Sequence, residues 1–291
     1  MEYSVQGSGR ESLVFIHGSM VADANIPLII QPVLMKNYRM ITYHRRGYAS
    51  NKEITRIKDP IHENNDNSVN NFILPSPEGS FMTKPSISQD ASDCYRLLEF
   101  LKIEGTSHIV GHSQGGVIAI QFALDYPQLV KSLSLLEPAL VGFIPSAKKI
   151  QEKITAITRL YKIGDKKGAI DSMMRLVGGP GYRIELDRML PEAFDKALLD
   201  ADSLFERDIP AMKDWKISSE EIRERVNDTW NGPILSVMGE NSQPMFKEVA
   251  ELLKKWLLRS ESLIVPYATH WLQITNPVYL SHGLHNFFSS H

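Results

Sequence analysis

Apolar residues in this chain come in short unbroken runs, separated by longer stretches with helical spacing. Glu11-Ser12-Leu13-Val14-Phe15-Ile16 and Tyr38-Arg39-Met40-Ile41-Thr42-Tyr43 are runs of strand length, rich in β-branched and aromatic residues. Ser107-His108-Ile109-Val110, Leu133-Ser134-Leu135-Leu136, Pro233-Ile234-Leu235-Ser236-Val237-Met238 and Ser262-Leu263-Ile264-Val265 are four more. Between them the period changes. Residues 86–101 carry Ala91, Cys94, Leu97, Leu98 and Leu101 on one helical face, and Ser86 and Gln89 have capping-box spacing. Residues 117–124 and 244–258 also read as helix, and Asn276-Pro277 opens a closing helix toward Phe288. Residues 26–34 are apolar and helical in part, limited by Pro27 and Pro32. Strands alternating with helices predict an α/β fold, a mostly parallel, doubly wound sheet with helices on both faces.

Two segments break the alternation. Residues 49–85 hold Asn51, Asn64, Asn65, Asn67, Asn70 and Asn71 with Pro60, Pro75, Pro77 and Pro85, and read as a long polar surface loop within the core. Only Phe72-Ile73-Leu74 in it looks able to pack. Residues 140–230 show helical patterns and no strand: Ile150, Ile154, Ile157 and Tyr161 in one helix, Ala169, Ile170, Met173 and Val177 in the next. Gly164 and Gly178-Gly179 look like helix stops. The expected organisation is therefore a core of residues 1–139 and 231–291, interrupted by a helical cap over 140–230.

At 291 residues the chain can bury a large core, and its 43% hydrophobic and 23% charged content is ordinary for a globular protein. A formal net charge of -2 argues against nucleic acid or an anionic membrane as the main partner. The N-terminal residues lack the basic flank and apolar core of a signal peptide, and no apolar run has the length of a membrane span. The single cysteine, Cys94, excludes an internal disulfide and reads as a core residue on its helix, so a cytoplasmic location is expected.

The candidate chemistry starts at Gly111-His112-Ser113-Gln114-Gly115, a G-x-S-x-G pattern between a predicted strand and a predicted helix. That context makes the pattern a nucleophile elbow: the turn strains the serine backbone and projects its hydroxyl, while the glycines let strand and helix approach. The pattern alone is weak, since 18 glycines in 291 residues give roughly one chance match in ten such chains. What strengthens it is position. His17-Gly18, Ser113, Glu137, Glu240 and His270 all stand at carboxyl ends of predicted strands, where parallel sheets collect function. A serine hydroxyl needs a base to take its proton, and the base needs a carboxylate to fix its tautomer. His270, at the turn after the last strand, is the candidate base. His62, His282, His285 and His291 read as ordinary histidines, and His282 with His285 is too thin a set for a metal.

With these residues in view, the chain resembles the α/β-hydrolase-fold enzymes over nearly its whole length. The resemblance implies a serine, acid, histidine order. It also implies an oxyanion hole from the amides of Ser19, in the His17-Gly18-Ser19 turn, and of Gln114. Residues 140–230 correspond to the family's cap, and Arg45-Arg46-Gly47-Tyr48 to a structural turn. So little sequence precedes Tyr3 that the family's first antiparallel strand is expected to be missing. One position departs from the family. Its usual acid follows the strand ending Gly239-Glu240, where this chain has Ser242, a residue that cannot stabilise an imidazolium. Glu137, ending the neighbouring strand, is preferred over Glu240 as the acid, an arrangement similar to zearalenone-type lactonases and some haloalkane dehalogenases. The expected function is a metal-free, cofactor-free serine hydrolase of a small apolar ester or lactone, working through an acyl-enzyme. A serine nucleophile argues against dehalogenase or epoxide hydrolase chemistry, which uses an aspartate in this fold. A ligand receptor on a hydrolase scaffold, or an acyltransferase or cofactor-free peroxidase on the same triad, are the alternatives. Phe143, Met173, Met174, Met189, Phe194, Phe205, Met212 and Trp215 are apolar pocket candidates that read equally as packing within the cap.

Overall fold

Parallel strands covered on both faces need near-continuous apolar sequence, and the central strands of this protein have it. The computed structural model describes residues 1–48, 70–71 and 84–291. Eight strands, β1 (Glu2–Gln6), β2 (Glu11–Ile16), β3 (Tyr38–Tyr43), β4 (Asn70–Asn71), β5 (Ser107–His112), β6 (Val130–Leu136), β7 (Ile234–Gly239) and β8 (Glu261–Val265), form one sheet. Their order is β4-β1-β3-β2-β5-β6-β7-β8. The pairs from β3 through β8 are parallel, whereas β1 runs antiparallel to both β3 and β4. The expectation of a missing antiparallel strand is corrected here: the lead-in Glu2–Gln6 forms one, with Tyr3 opposite Tyr43 and Gln6 opposite Met40. Of the polar loop expected over 49–85, residues 49–69 and 72–83 lie outside the described residues.

Alternation within β2 splits the core. Leu13 and Phe15 pack into one buried cluster with the helices Ile26–Ile29, Pro32–Asn37 and Pro277–Ser289. Val14 and Ile16 pack into the other, with Ile87–Phe100, Gln114–Asp125 and Pro244–Trp256. The helix Gln114–Asp125 is buried at every position except Asp125, as befits a helix that is apolar nearly all round. Pro32 divides the apolar 26–34 segment into two short helices.

Between β6 and β7 the described residues hold helices and no strand: Ala147–Lys162, Lys166–Gly178, Tyr182–Met189, Ala193–Leu199, Ile209–Asp214 and shorter turns. These helices share an apolar cluster with Met20, Val21, Ala24, Trp271 and Ile274, in which Met174, Tyr182 and Leu186 are fully buried. Gly164 and Gly179 follow their helices with φ of 90° and 86°, a left-handed exit that suits glycine. The stretch Ser203–Asp208 winds more widely, as a π-helical turn running into Ile209–Asp214. Pro210 accounts for this: it has no N–H to give the Glu206 carbonyl, and its ring crowds that group. Register brings the site together. Ile16 pairs with Gly111, His112 with Leu136, Leu136 with Val237 and Gly239 with Val265, so the ends of five adjacent strands open onto one edge.

Candidate active site

Ser113 follows β5 and precedes its helix with φ 54° and ψ -121°. This is a conformation that costs a non-glycine residue about 1–3 kcal/mol and is held only by its surroundings. Those surroundings are close. The Ser113 N–H donates to the Leu136 carbonyl at 3.0 Å, and its carbonyl accepts from the amides of Gly116 and Ala139 at 2.9 Å each. A Cβ on Gly115 would stand 2.1 Å from the Ile16 carbonyl oxygen, and one on Gly18 would stand 2.9 Å from the Ser113 Cβ. Glycine at these two positions is therefore the condition for bringing β2, the elbow and its helix together.

Glu137 and Tyr267, at the ends of β6 and β8, have positive φ as well, 43° and 58°. The first turn aims the Glu137 carboxylate across β7. Its Oε1 accepts from the Gly239 N–H at 2.8 Å, and its Oε2 lies 2.8 Å from His270 Nδ1. Both side chains are 1% exposed. The second turn places His270, whose ring stacks flat on Phe246, with centroids 4.1 Å apart and an 8° interplanar angle. The His270 carbonyl accepts from His112 Nε2 at 2.8 Å, so one hydrogen bond ties its backbone to the residue beside Ser113. Glu240 is elsewhere: it accepts from the exposed Tyr267 N–H at 2.9 Å. Sequence reasoning missed His112 and Phe246, since nothing in a buried histidine or a helical phenylalanine signals a partner so far along the chain.

Burial pushes the Glu137 carboxyl up to about 7, against the Ser242 hydroxyl and the Gly239 amide, which pull it down. The Ser242 hydroxyl is buried without a well-aligned hydrogen bond of its own, so its effect on Glu137 is one of proximity. Burial holds His270 and His112 well below the usual imidazole range. The resting imidazole is thus neutral, with its Nδ1–H donating to the carboxylate and Nε2 able to accept a proton.

Ser19, Ser113 and Gln114 line a cavity of about 660 Å³ between the sheet edge and the helical segment. Of the eight apolar pocket candidates, Phe143, Met173, Met212 and Trp215 line it. Met174, Phe194 and Phe205 are buried among the helices instead, with Met189 packed against them. Cys94 is buried and its thiol pushed up to about 12 by burial, so it stays protonated and inert. His285 bonds the Tyr38 hydroxyl at 2.9 Å.

A second polar cluster, unforeseen from sequence, adjoins the Ser19 turn. Arg45, in the turn read as structural, is fully buried and pairs with Asp208 at 2.8 Å and with Asp90 at 3.4 Å. Desolvation opposes its charge, but the two carboxylates more than offset that. Removing one partner of such a pair costs roughly 3–5 kcal/mol, because the other charge stays buried. Tyr48 donates to Asp208 at 2.5 Å, and Arg45 also holds the Gly18 carbonyl at 3.2 Å. His17, buried and neutral, accepts from the Arg45 N–H at 2.9 Å through Nε2 and bonds the Gly18 carbonyl through Nδ1.

A doubly wound sheet with a serine on a strained strand-to-helix turn, and a histidine-carboxylate pair at the neighbouring strand ends, defines the class. The chain belongs to the alpha/beta hydrolase fold family, whose model matches residues 11–161, just over half its length. It is 26% identical over 231 residues to a probable alcohol acetyltransferase of Saccharomyces cerevisiae, covering 74% of this chain and 66% of that protein. It is 24% identical over 232 residues to Lipase 3 of a Moraxella species, covering 77% of this chain and 69% of the lipase. Among solved structures, MenH from S. aureus superposes over 100% of this chain and 98% of its own with a TM-score of 0.71, at 15% identity. Among the described residues no helix is long and apolar enough to cross a membrane.

Proposed function

We propose that this protein is a serine hydrolase that cleaves a carboxylic ester or lactone through an acyl-enzyme. The observation that carries the reading is the buried Glu137–His270 hydrogen bond of 2.8 Å beside the strained Ser113 turn. In this mechanism Ser113 attacks the acyl carbon while His270 takes its proton at Nε2, and Glu137 stabilises the imidazolium that forms. The amides of Ser19 and Gln114 hold the oxyanion, the second of them at a helix N-terminus whose partial positive charge suits it. His270 then returns the proton to the leaving alcohol and activates water for deacylation. The helical segment 140–230 acts as the cap, and its apolar contribution to the cavity favours an apolar acyl group.

A panel of p-nitrophenyl esters of graded chain length, with a few lactones, tests the reading. Turnover with a preference for apolar acyl groups is expected; no hydrolysis of any member would overturn it. The likeness to an alcohol acetyltransferase favours a second outcome on the same residues, transfer of the acyl group to an alcohol. Adding a short alcohol and measuring the ratio of new ester to free acid separates the two.

His270→Ala is expected to lower turnover by roughly 10²–10⁴-fold, the range of general-base loss. A variant within threefold of wild type removes His270 from the mechanism.

The pH dependence follows from Glu137. The competent form has Glu137 ionised and His270 neutral, so kcat/KM is expected to rise with pH through a single ionisation at about 7. Stability runs the other way. The folded carboxyl titrates above its unfolded value, so ionising it costs stability as pH rises through about 7. The thermal midpoint of wild type should therefore fall relative to that of Glu137→Gln on going from about pH 5 to about pH 8. A rate that declines with rising pH, or two parallel midpoint curves, would contradict this account of the carboxylate.

A further inference from the structure

Each residue of the Gly18–Met20 turn is held by one buried cluster. The Gly18 carbonyl accepts from Arg45 Nη2 at 3.2 Å, the Ser19 hydroxyl lies 2.6 Å from Asp208 Oδ2, and the Met20 N–H donates to Tyr48 Oη at 3.3 Å. Arg45 and Tyr48 both donate in turn to Asp208, through Nη1 at 3.2 Å, Nη2 at 2.8 Å and Oη at 2.5 Å. Four hydrogen bonds converge on this one carboxylate, three of them on Oδ2.

The Gln114 amide completes the arrangement. Its oxygen stands 2.7 Å from Ser19 Oγ, while its nitrogen is buried with no partner. The single Ser19 proton cannot serve both Asp208 and Gln114. Exchanging the amide's oxygen and nitrogen, which are nearly indistinguishable in shape, removes both problems. Gln114 Nε2–H then donates to Ser19 Oγ, whose own proton goes to Asp208.

We propose that Asp208, supplied by the helical segment, is the positioning residue that sets the two oxyanion-binding amides through the chain Gln114–Ser19–Asp208–Arg45. The proposal rests on the reading of Ser19 and Gln114 as the oxyanion hole. It makes the helical segment part of the catalytic geometry as well as a wall of the pocket. It also gives the buried Arg45 a role: its guanidinium pairs with the carboxylate on which these bonds converge.

The test compares Ser19→Ala, Asp208→Asn and the double variant. Each single change is expected to lower kcat by roughly 10–100-fold with KM within about threefold, the scale of misplaced catalytic groups. The double variant should lose no more than the worse single one. Affinity for an aryl trifluoromethyl ketone, whose adduct carries the oxyanion, should fall in step with kcat/KM. Affinity for the matching methyl ketone, which does not form the adduct, should hold. Gln114→Glu, which puts a second carboxylate against the Ser19 hydroxyl, should be worse than Gln114→Met. Should Asp208→Asn fail to fold, Ser19→Ala and the two Gln114 variants carry the test alone. Losses that multiply in the double variant, trifluoromethyl ketone affinity unchanged in Ser19→Ala, or Gln114→Glu better than Gln114→Met would overturn the proposal. A wild type that hydrolyses esters alongside unaffected variants overturns this proposal only. One that neither hydrolyses esters nor reacts with a fluorophosphonate overturns the hydrolase reading with it.

Discussion

Ser113→Ala is expected to lower ester turnover by a factor on the order of 10⁶, the scale of deleting the nucleophile of a serine triad. Fluorophosphonate labelling should disappear with it. The substitution keeps the elbow's backbone bonds to Leu136, Gly116 and Ala139, so the fold should survive. A companion variant separates chemistry from strain. Ser113→Gly should be equally inactive yet more stable than Ser113→Ala by about 1 kcal/mol, since glycine occupies positive φ without penalty. Denaturant midpoints of the two variants check this. A glycine variant no more stable than alanine would mean the φ of 54° stores no strain.

Glu137→Gln is expected to lower turnover by up to about 10⁴-fold, the effect of an acid-to-amide change in a serine triad. The amide cannot stabilise an imidazolium, and its Nε2 competes with His270 Nδ1–H for the same face. Labelling at Ser113 should persist but slow in parallel. Two controls sharpen the result. Glu240→Gln should stay within a few-fold of wild type, because Glu240 caps the Tyr267 turn and does not meet the ring. Ser242→Asp in the Glu137→Gln background should recover part of the activity, since Ser242 is buried close to the carboxylate it would replace. Steady-state kinetics on one good ester measures all three variants. Full activity in Glu137→Gln would leave the triad without its acid.

What the sequence carried and what it withheld follow from the range of the interactions. The strand runs were legible because parallel strands are apolar on both faces, and β5 is buried at all six positions. Ser113, Glu137 and His270 were legible because each is marked by its place at a strand end. Asp208 was not. It sits in a polar stretch, Glu206-Arg207-Asp208, that reads as the solvated side of a helix. Its burial at 2% exposure depends on Arg45, which lies 163 residues earlier. A cue existed: Pro210 inside a helical pattern marks a distorted turn, and distorted turns gather at sites. Likewise β1 could not be read from its own mixed residues, all of them half-buried, because its register comes from β3.

The most direct test of the central claim is to react the wild-type protein with a fluorophosphonate, digest it and locate the adduct by mass spectrometry. The account predicts a single adduct on Ser113, formed more slowly in His270→Ala and Glu137→Gln. An adduct on another residue, or none while esters are still hydrolysed, would contradict it.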